Sequence, residues 1–504
     1  MNAIIDQLEQ TSKVYSPAAN GDIVWNKMLP PEGIVLRYIV TSAQNNTKVH
    51  DQLWENLHAF AEHMDATVMV ASFTYNKMTN PIGGKHSKRK TSKETDNEPE
   101  WWDKRVLPYL YDRRVKLAPG LEWCGELQIL PTAVYPLSGL ESYTGRNSTI
   151  VPHPKFAITS VASPKHKGTK FMWTTGTITM SNYIQKKAGQ KAEFHHGYGA
   201  LIVEVDHKGN WYVRQLNASR DGTFYDWDLR VKDGKVTSGH RPEAIVWGDI
   251  HERQLEEDMR EIAWGNGGIL DQLQPKCQIF HDVLDFRAQN HHDRDDPWKV
   301  YEKHQKDKQD VETEIFEAAQ FLTYANREWC QSVIVCSNHD MALERWLKYS
   351  DFRYDPENAR FFLAANLAAY DAVTEKDNNF YVIEWAFRRF AIPVNKDVKF
   401  LRRDESYIVC PEAHDGIELG MHGDVGANGA RASGIRTFSK TGRKCIIGHG
   451  HGSEQHEGAM RVGVMGNLDQ GYNEGMSNWS HTNAIVYPNG KRTLFTIWNG
   501  KARA

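Results

Sequence analysis

Cysteine, net charge and long apolar runs are all scarce in this chain of 504 residues. The six cysteines, Cys124, Cys277, Cys330, Cys336, Cys410 and Cys445, form no CxxC pair. So few thiols in so long a chain argue against a disulfide framework. They read as reduced, mostly buried groups of a cytoplasmic protein. The formal charge is −3, so the molecule as a whole is no polycation. Any nucleic-acid contact must come from a local patch. No apolar stretch approaches the roughly 18 residues of a membrane span. The opening MNAIIDQLEQTSK lacks the basic start and apolar run of a signal peptide. A G-x-x-x-x-G-K-[ST] phosphate loop is missing too, so ATP binding of that kind is not indicated.

What is present suggests two domains, since one core rarely serves such a length. IVLRYIV (34–40), a helical run with Leu53, Leu57, Phe60 and Met64, and ATVMVASF (66–73) predict a β-α-β unit. Residues 79–105 carry a basic block and then an acidic one. They read as a solvated loop rather than a DNA-steering segment. KFAITSVAS, KFMWTTGTITM, ALIVEVD and NWYVRQL predict strands, with DHKGNW (206–211) as a hairpin turn. His195 and His196, adjacent on a predicted strand, would face opposite sides and read as structural. A boundary is expected near TSGHRPE (237–243), giving a mixed α/β domain over 1–238 and a second over 239–504.

The second half alternates strand, loop and helix. Its apolar strand segments end in polar residues. FYVIEWAF (380–387) reads as one more short strand, although the 350–400 stretch also looks like a helical insertion containing EWAFRRF. The strand ends carry Asp249 and His251, then Asp282, then Asn338, His339 and Asp340, then His422, then His449 and His451. All of these are hard or borderline N and O donors. They suit Mn, Mg, Fe or Zn and not a structural thiolate site. In Asp-x-His and His-x-His, residues i and i+2 of an extended end share a side, so they can reach one metal or two adjacent ones. A carboxylate can bridge two cations, and Asp282 stands alone where a bridge is needed. Any one such motif is weak. Five in series, each at a strand end, are specific.

The set resembles the calcineurin-like metallophosphoesterase family, whose D-x-H, G-D-x-x-D-R, G-N-H-[DE], single His and G-H-x-H motifs run in this order. The likeness covers about 240–504. It implies a four-layer αββα sandwich and a two-metal phosphoesterase. In that family's terms Asp249, His251, Asp282 and His451 would hold one ion. Asp282, Asn338, His422 and His449 would hold the other. His339 would protonate the leaving group, Asp340 would orient His339, and Asp285 and Arg287 would brace the loop behind Asp282. His281 and Ser337 stand where the family has glycine, and Arg287 comes one place late.

The substrate is less directly written. His291 and His292 follow the second motif, as phosphate contacts or as a solvated loop; Arg431 lies in the Gly-Ala-rich run after the fourth and could meet phosphate. The histidine pair, that run and a large β-rich region before the enzyme are similar to early host-DNA-degrading proteins of T-five-like tailed phages. SbcD-type nucleases are related to these within the family. The resemblance implies a Mn- or Mg-dependent DNA nuclease, Mn being favoured, working in a host cytoplasm, with DNA and, in a homo-oligomer, a second copy of the chain as expected partners. The first domain would bind DNA or assemble subunits. The competing readings are a phosphatase or small phosphodiesterase acting on nucleotides or phosphoproteins, and a non-enzymatic scaffold.

Overall fold

The computed structural model describes residues 29–75, 100–290, 293, 296–390, 398–413, 415–432 and 434–504. The fold is α/β, with several mixed sheets and helices. Two compact units divide the chain. One takes Met1–His240, Glu454–Glu457 and Lys491–Ala504; the other takes Arg241–Ser453 and Gly458–Gly490. The expected division had left everything after residue 239 together. The segment after Lys491 instead lies with the first unit, where Gln215 donates its N–H to Thr493 Oγ1 at 2.9 Å and its side chain to Gln455 Oε1 at 2.7 Å. Among the described residues no helix is long and apolar enough to cross a membrane. All six cysteines are buried free thiols.

In the first unit, β1 (Leu36–Gln44) and β2 (Ala66–Phe73) pair in parallel, with α1 (Asp51–Met64) crossing between them. Helix α1 starts where His50 accepts the Leu53 N–H, and it stops at Asp65 in the left-handed region. Its Leu53, Leu57 and Phe60 are fully buried. At about 1.5–3 kcal/mol for each large apolar side chain, that face anchors the crossover. β3 (Gly199–Val205) and β4 (Trp211–Asn217) complete a four-stranded sheet, joined by the expected tight turn with Gly209 at φ 82°. A second sheet orders Arg114–Ala118, Leu121–Cys124, Ser148–Val151, Lys170–Thr174, Ile158–Val161 and Glu454–His456. His195 caps the helix Lys187–Phe194 and so ends a helix rather than a strand. Both ring nitrogens of His196 are used, on the Tyr183 hydroxyl and the Thr179 carbonyl, each at 2.8 Å.

In the second unit, β5 (Ala244–Val246), helix α2 (Glu257–Trp264), β6 (Cys277–Phe280), helix α3 (Val311–Ala325) and β7 (Gln331–Ile334) follow one another. The sheet order is Lys399–Phe400, β7, β6, β5 and Thr482–Val486, all parallel but the last. Trp264 of α2 and Phe321 of α3 pack with Phe280 of β6 and cover this sheet. A second sheet orders Ile408–Val409, Ile417–Glu418, Lys444–Ile447 and Ala459–Arg461. The short helix Ile435–Phe438 packs on it through Ile435 and Phe438. Between β7 and Lys399–Phe400 come the helices Ala359–Glu375 and Val382–Arg388. The second overturns the strand reading of FYVIEWAF: Ile383, Ala386 and Phe387 are buried at helical spacing.

Candidate metal centre

Parallel strands bring their carboxyl ends to one side, and the loops there build the crevice of an α/β sheet. β5 ends at Val246 and leads into Asp249; β6 ends at Phe280 and leads into His281 and Asp282; β7 ends at Ile334 and leads into Asn338. Backbone bonds lace the first two loops together. Ile250 N–H donates to the His281 carbonyl at 2.9 Å, and His251 N–H to the Asp282 carbonyl at 2.8 Å. On the other sheet, Gly448 N–H donates to the His422 carbonyl at 2.8 Å. Gly448 must be glycine, because a Cβ there would run into Asp249 Oδ1 and the His281 ring.

All seven expected ligands come together. Donor atoms of Asp249, His251, Asp282 and His451 lie within 4.8 Å of one another. His251 Nε2 is 3.1 Å from His451 Nε2, an approach that two ring nitrogens make when both aim at a common point. His422 Nε2 lies 3.1 Å from Asn338 Oδ1 and 3.4 Å from Asp282 Oδ2, and the His449 ring is 5.2 Å from that of His422. Asp282 Oδ2 is also 3.8 Å from His251 Nε2, so this carboxylate stands between the two groups. His251, Asp282, His449 and His451 all have φ between 46° and 67°. Left-handed backbone at non-glycine residues costs of order 1 kcal/mol each and gathers at functional sites.

The electrostatics show what the cluster lacks. Both oxygens of Asp249 and both of Asp282 are buried without a hydrogen-bond donor. The nearest approach to Asp249 is from His451, whose Nε2 is 3.0 Å from Oδ2. A buried carboxylate normally has a cation or several donors. Here only histidines approach. Burial pushes the Asp282 carboxyl up, but His422, His339 and His251 outweigh it and hold it well below the usual range. In return His422, which burial alone would lower, is raised to about 9 by Asp282 and Asp249. Burial, then His422, lowers His449. A cation among these oxygens would do the work that protonated imidazole does here, so the residues fit a metal.

The supporting residues differ in part from expectation. Asp285 is fully in place behind the ligands: its Oδ1 takes His251 Nδ1 at 3.0 Å and turns Nε2 toward the cluster. Burial would raise Asp285, yet His251 and His339 hold it down at about 2. It is also Asp285, through its carbonyl, that His339 Nδ1 meets at 2.7 Å. Asp340 does not orient that ring. Its Oδ2 accepts from Ser337 N–H and Oγ at 3.0 and 3.1 Å, closing the turn into the helix Asp340–Tyr349, and burial lifts it to about 6. Arg287 approaches Asp285 at 3.4 Å and donates to the Gln470 carbonyl, while Glu314 receives the Arg287 and Ala288 N–H groups, both at 2.8 Å. Arg431 is exposed and lines the cavity above the cluster; His291 and His292 lie outside the described residues.

Three residues carried no usable signal. His281 is buried, with Nδ1 3.4 Å from His422 Nδ1, and burial, then His422, lowers it to about 4. A neutral His281 can accept from His422 and leave His422 Nε2 facing Asn338. Its only sequence cue was its place beside Asp282. Trp479 sits edge-on to His451 at 4.2 Å, with Tyr472 against Trp479 at 5.5 Å. Both come from a loop without a motif.

No protein-family profile and no solved structure matches the chain. Among curated proteins, "Protein A1" of Escherichia phage T5 is 37% identical over 476 residues, covering 92% of this chain and 82% of that protein. Likeness of that degree over nearly the whole length is kinship, and the chain belongs to the family of phage T5 Protein A1.

Proposed function

We propose that the chain is a divalent-metal phosphodiesterase that cleaves DNA. The observation that carries this reading is the buried, donorless set of Asp249 and Asp282 oxygens, ringed by four histidines and the Asn338 carbonyl. Asp249, His251, Asp282 and His451 would hold one ion, and Asp282, Asn338, His422 and His449 a second. Mn is favoured, with Mg, Fe and Zn compatible with the same donors. Bound there, such ions supply Lewis acidity toward phosphoryl oxygens and make water more acidic.

The remaining tasks fall to the chain's own groups. A carbonyl only accepts, so His339 Nδ1 carries the proton shared with Asp285 O. Its Nε2 is left for the substrate. Protonated, and steadied by the Asp285 carboxylate 3.4 Å away, it can hand that proton to a leaving alkoxide. DNA is supported by the cavity of about 930 Å³ beside the cluster. Arg253, Arg287, Lys299, Lys303, Lys306 and Lys308 line it. Lys299 and Lys303 meet Asp293 and Lys306 meets Glu302; the last pair is exposed on both sides, so a phosphate can replace it at little cost. Trp298 and Tyr301, on the same helix Pro297–Gln305, are 85% and 64% exposed and offer flat faces to bases. Kinship with a phage protein is compatible with host-DNA degradation.

The test sets Mn-reconstituted chain against plasmid DNA, linear DNA and bis-p-nitrophenyl phosphate. Cleavage of DNA that EDTA stops is expected. Hydrolysis of the small diester with every DNA left intact would remove DNA and keep the phosphoesterase. No hydrolysis of any kind, with Asp282→Ala keeping full biological effect, would leave a scaffold.

A further inference from the structure

The first unit holds a cavity of about 700 Å³ built wholly from its own residues. That lies within the roughly 300–1,000 Å³ of small-molecule sites. Its floor is aromatic. Phe171 and Trp173 share one face of the strand Lys170–Thr174, residues two apart pointing the same way, and their rings stack at 5.3 Å. Trp211 of β4 meets Trp173 edge-on at 5.7 Å. Trp498 closes another side, with its carbonyl held by the Tyr212 hydroxyl at 3.3 Å.

The rim is cationic. Arg146, His166 and Lys167 are exposed, and none of the described residues pairs with them. Lys170 is different: it is buried and donates to the Glu141 and Gly145 carbonyls at 2.6 and 2.9 Å. It thereby ties the loop that carries Arg146 to the aromatic strand. Glu141 is the one acid among the described lining residues.

An aromatic floor takes a planar π-face, and unpaired cations beside it take an anion. We propose that this cavity binds a nucleotide, with its base on the Trp173, Trp211 and Trp498 surface and its phosphate toward Arg146 and Lys167. The two sources of that chemistry are a free mononucleotide and one unit of a single strand. The site does not depend on what the metal centre does.

Calorimetric titration of the full chain, stripped with EDTA so that no cleavage intervenes, separates the sources. The probes are 5′-dAMP and a short oligo-deoxyadenylate strand. Saturable binding of dAMP identifies a mononucleotide site; binding of the strand alone identifies a strand-holding site. In either case Arg146→Glu with Lys167→Glu, both changes on exposed side chains, weakens binding at least tenfold. Trp498→Leu, at a 40% exposed ring, weakens it with the charges intact. Asp282→Asn, in the other unit, leaves the titration as it was. The proposal is overturned if neither probe binds, if the charge reversal leaves binding unchanged, or if Asp282→Asn abolishes it.

Discussion

Arg214 in the first unit has a side chain only 1% exposed, between Asp226 and Glu204; Asp249 and Asp282 in the second lie equally deep, with histidine rings around them. The first group is complete. Arg214 Nε and Nη2 reach the two Asp226 oxygens at 2.6 and 2.7 Å, Nη1 reaches Glu204 Oε2 at 2.7 Å, and Arg37 takes Glu204 Oε1 at 3.0 Å. Two guanidinium groups answer two carboxylates, and each named carboxylate oxygen has a donor. The second group has four carboxylate oxygens without one. Burial of charge is therefore common to both units, and completion is what separates them. A finished network holds a fold. An unfinished one, built on strained backbone, is shaped for something that arrives from outside.

The largest effect that can break this comparison is at Arg214. Arg214→Met should cost about 3–5 kcal/mol of stability, because Asp226 is left buried and unpaired, and added Mn should not restore it. Urea unfolding with and without metal reads both parts. At the candidate metal centre the pattern should reverse. Asp282→Asn relieves repulsion with Asp249 but also loses the attraction of His422, so the metal-free chain should lose less stability than Arg214→Met does. Wild type should then gain about 2.7 kcal/mol for each ion when Mn is at a hundred times its dissociation constant, and the variant should gain less. Equal gains in both proteins would erase the distinction drawn here.

A smaller effect is expected behind the ligands. Asp285→Ala frees the His251 ring and removes support from His339. Metal affinity should fall by about 10–100-fold, measured by competition with a chelator, while Asp340→Asn should change it much less. The smallest effect concerns acid. Burial would raise Glu204, but Arg214 and Arg37 hold it below the ordinary glutamate value. A depressed carboxyl contributes fully above its unfolded pKa, and that contribution is lost as pH falls through the folded one. Protection of β3 and β4 amides against hydrogen exchange should thus decline on the acid side of the carboxylate range, and not on the alkaline side. Arg214→Met should flatten the decline.

Much of the site could be read before any coordinates. Asp249–His251 and His449–His451 are i, i+2 pairs after apolar strands, and strand ends in parallel sheets converge whatever the loops do. The β-α-β unit was equally plain, since Leu53, Leu57 and Phe60 repeat at helical spacing between two runs of strand character. The failures are local and have physical causes. FYVIEWAF is too short for periodicity to separate a strand from a helix, and its burial against neighbours decides for the helix. His195 follows a helix that a run of Lys, Gly and Gln announces poorly. The exchange of Asp285 for Asp340 behind His339 turns on a carbonyl, and sequence patterns carry no backbone oxygens. Trp479 and Tyr472 reach the cluster from a loop whose path is set by tertiary packing alone.

The claim that the second unit's carboxylates await metal can be tested by counting ions. Equilibrium dialysis of the full chain against Mn, followed by elemental analysis, should find two ions per wild-type chain at saturation and fewer in Asp282→Asn and in His422→Ala. A wild-type chain that saturates with none, or an Asp282→Asn chain that holds as many as wild type, would contradict the account.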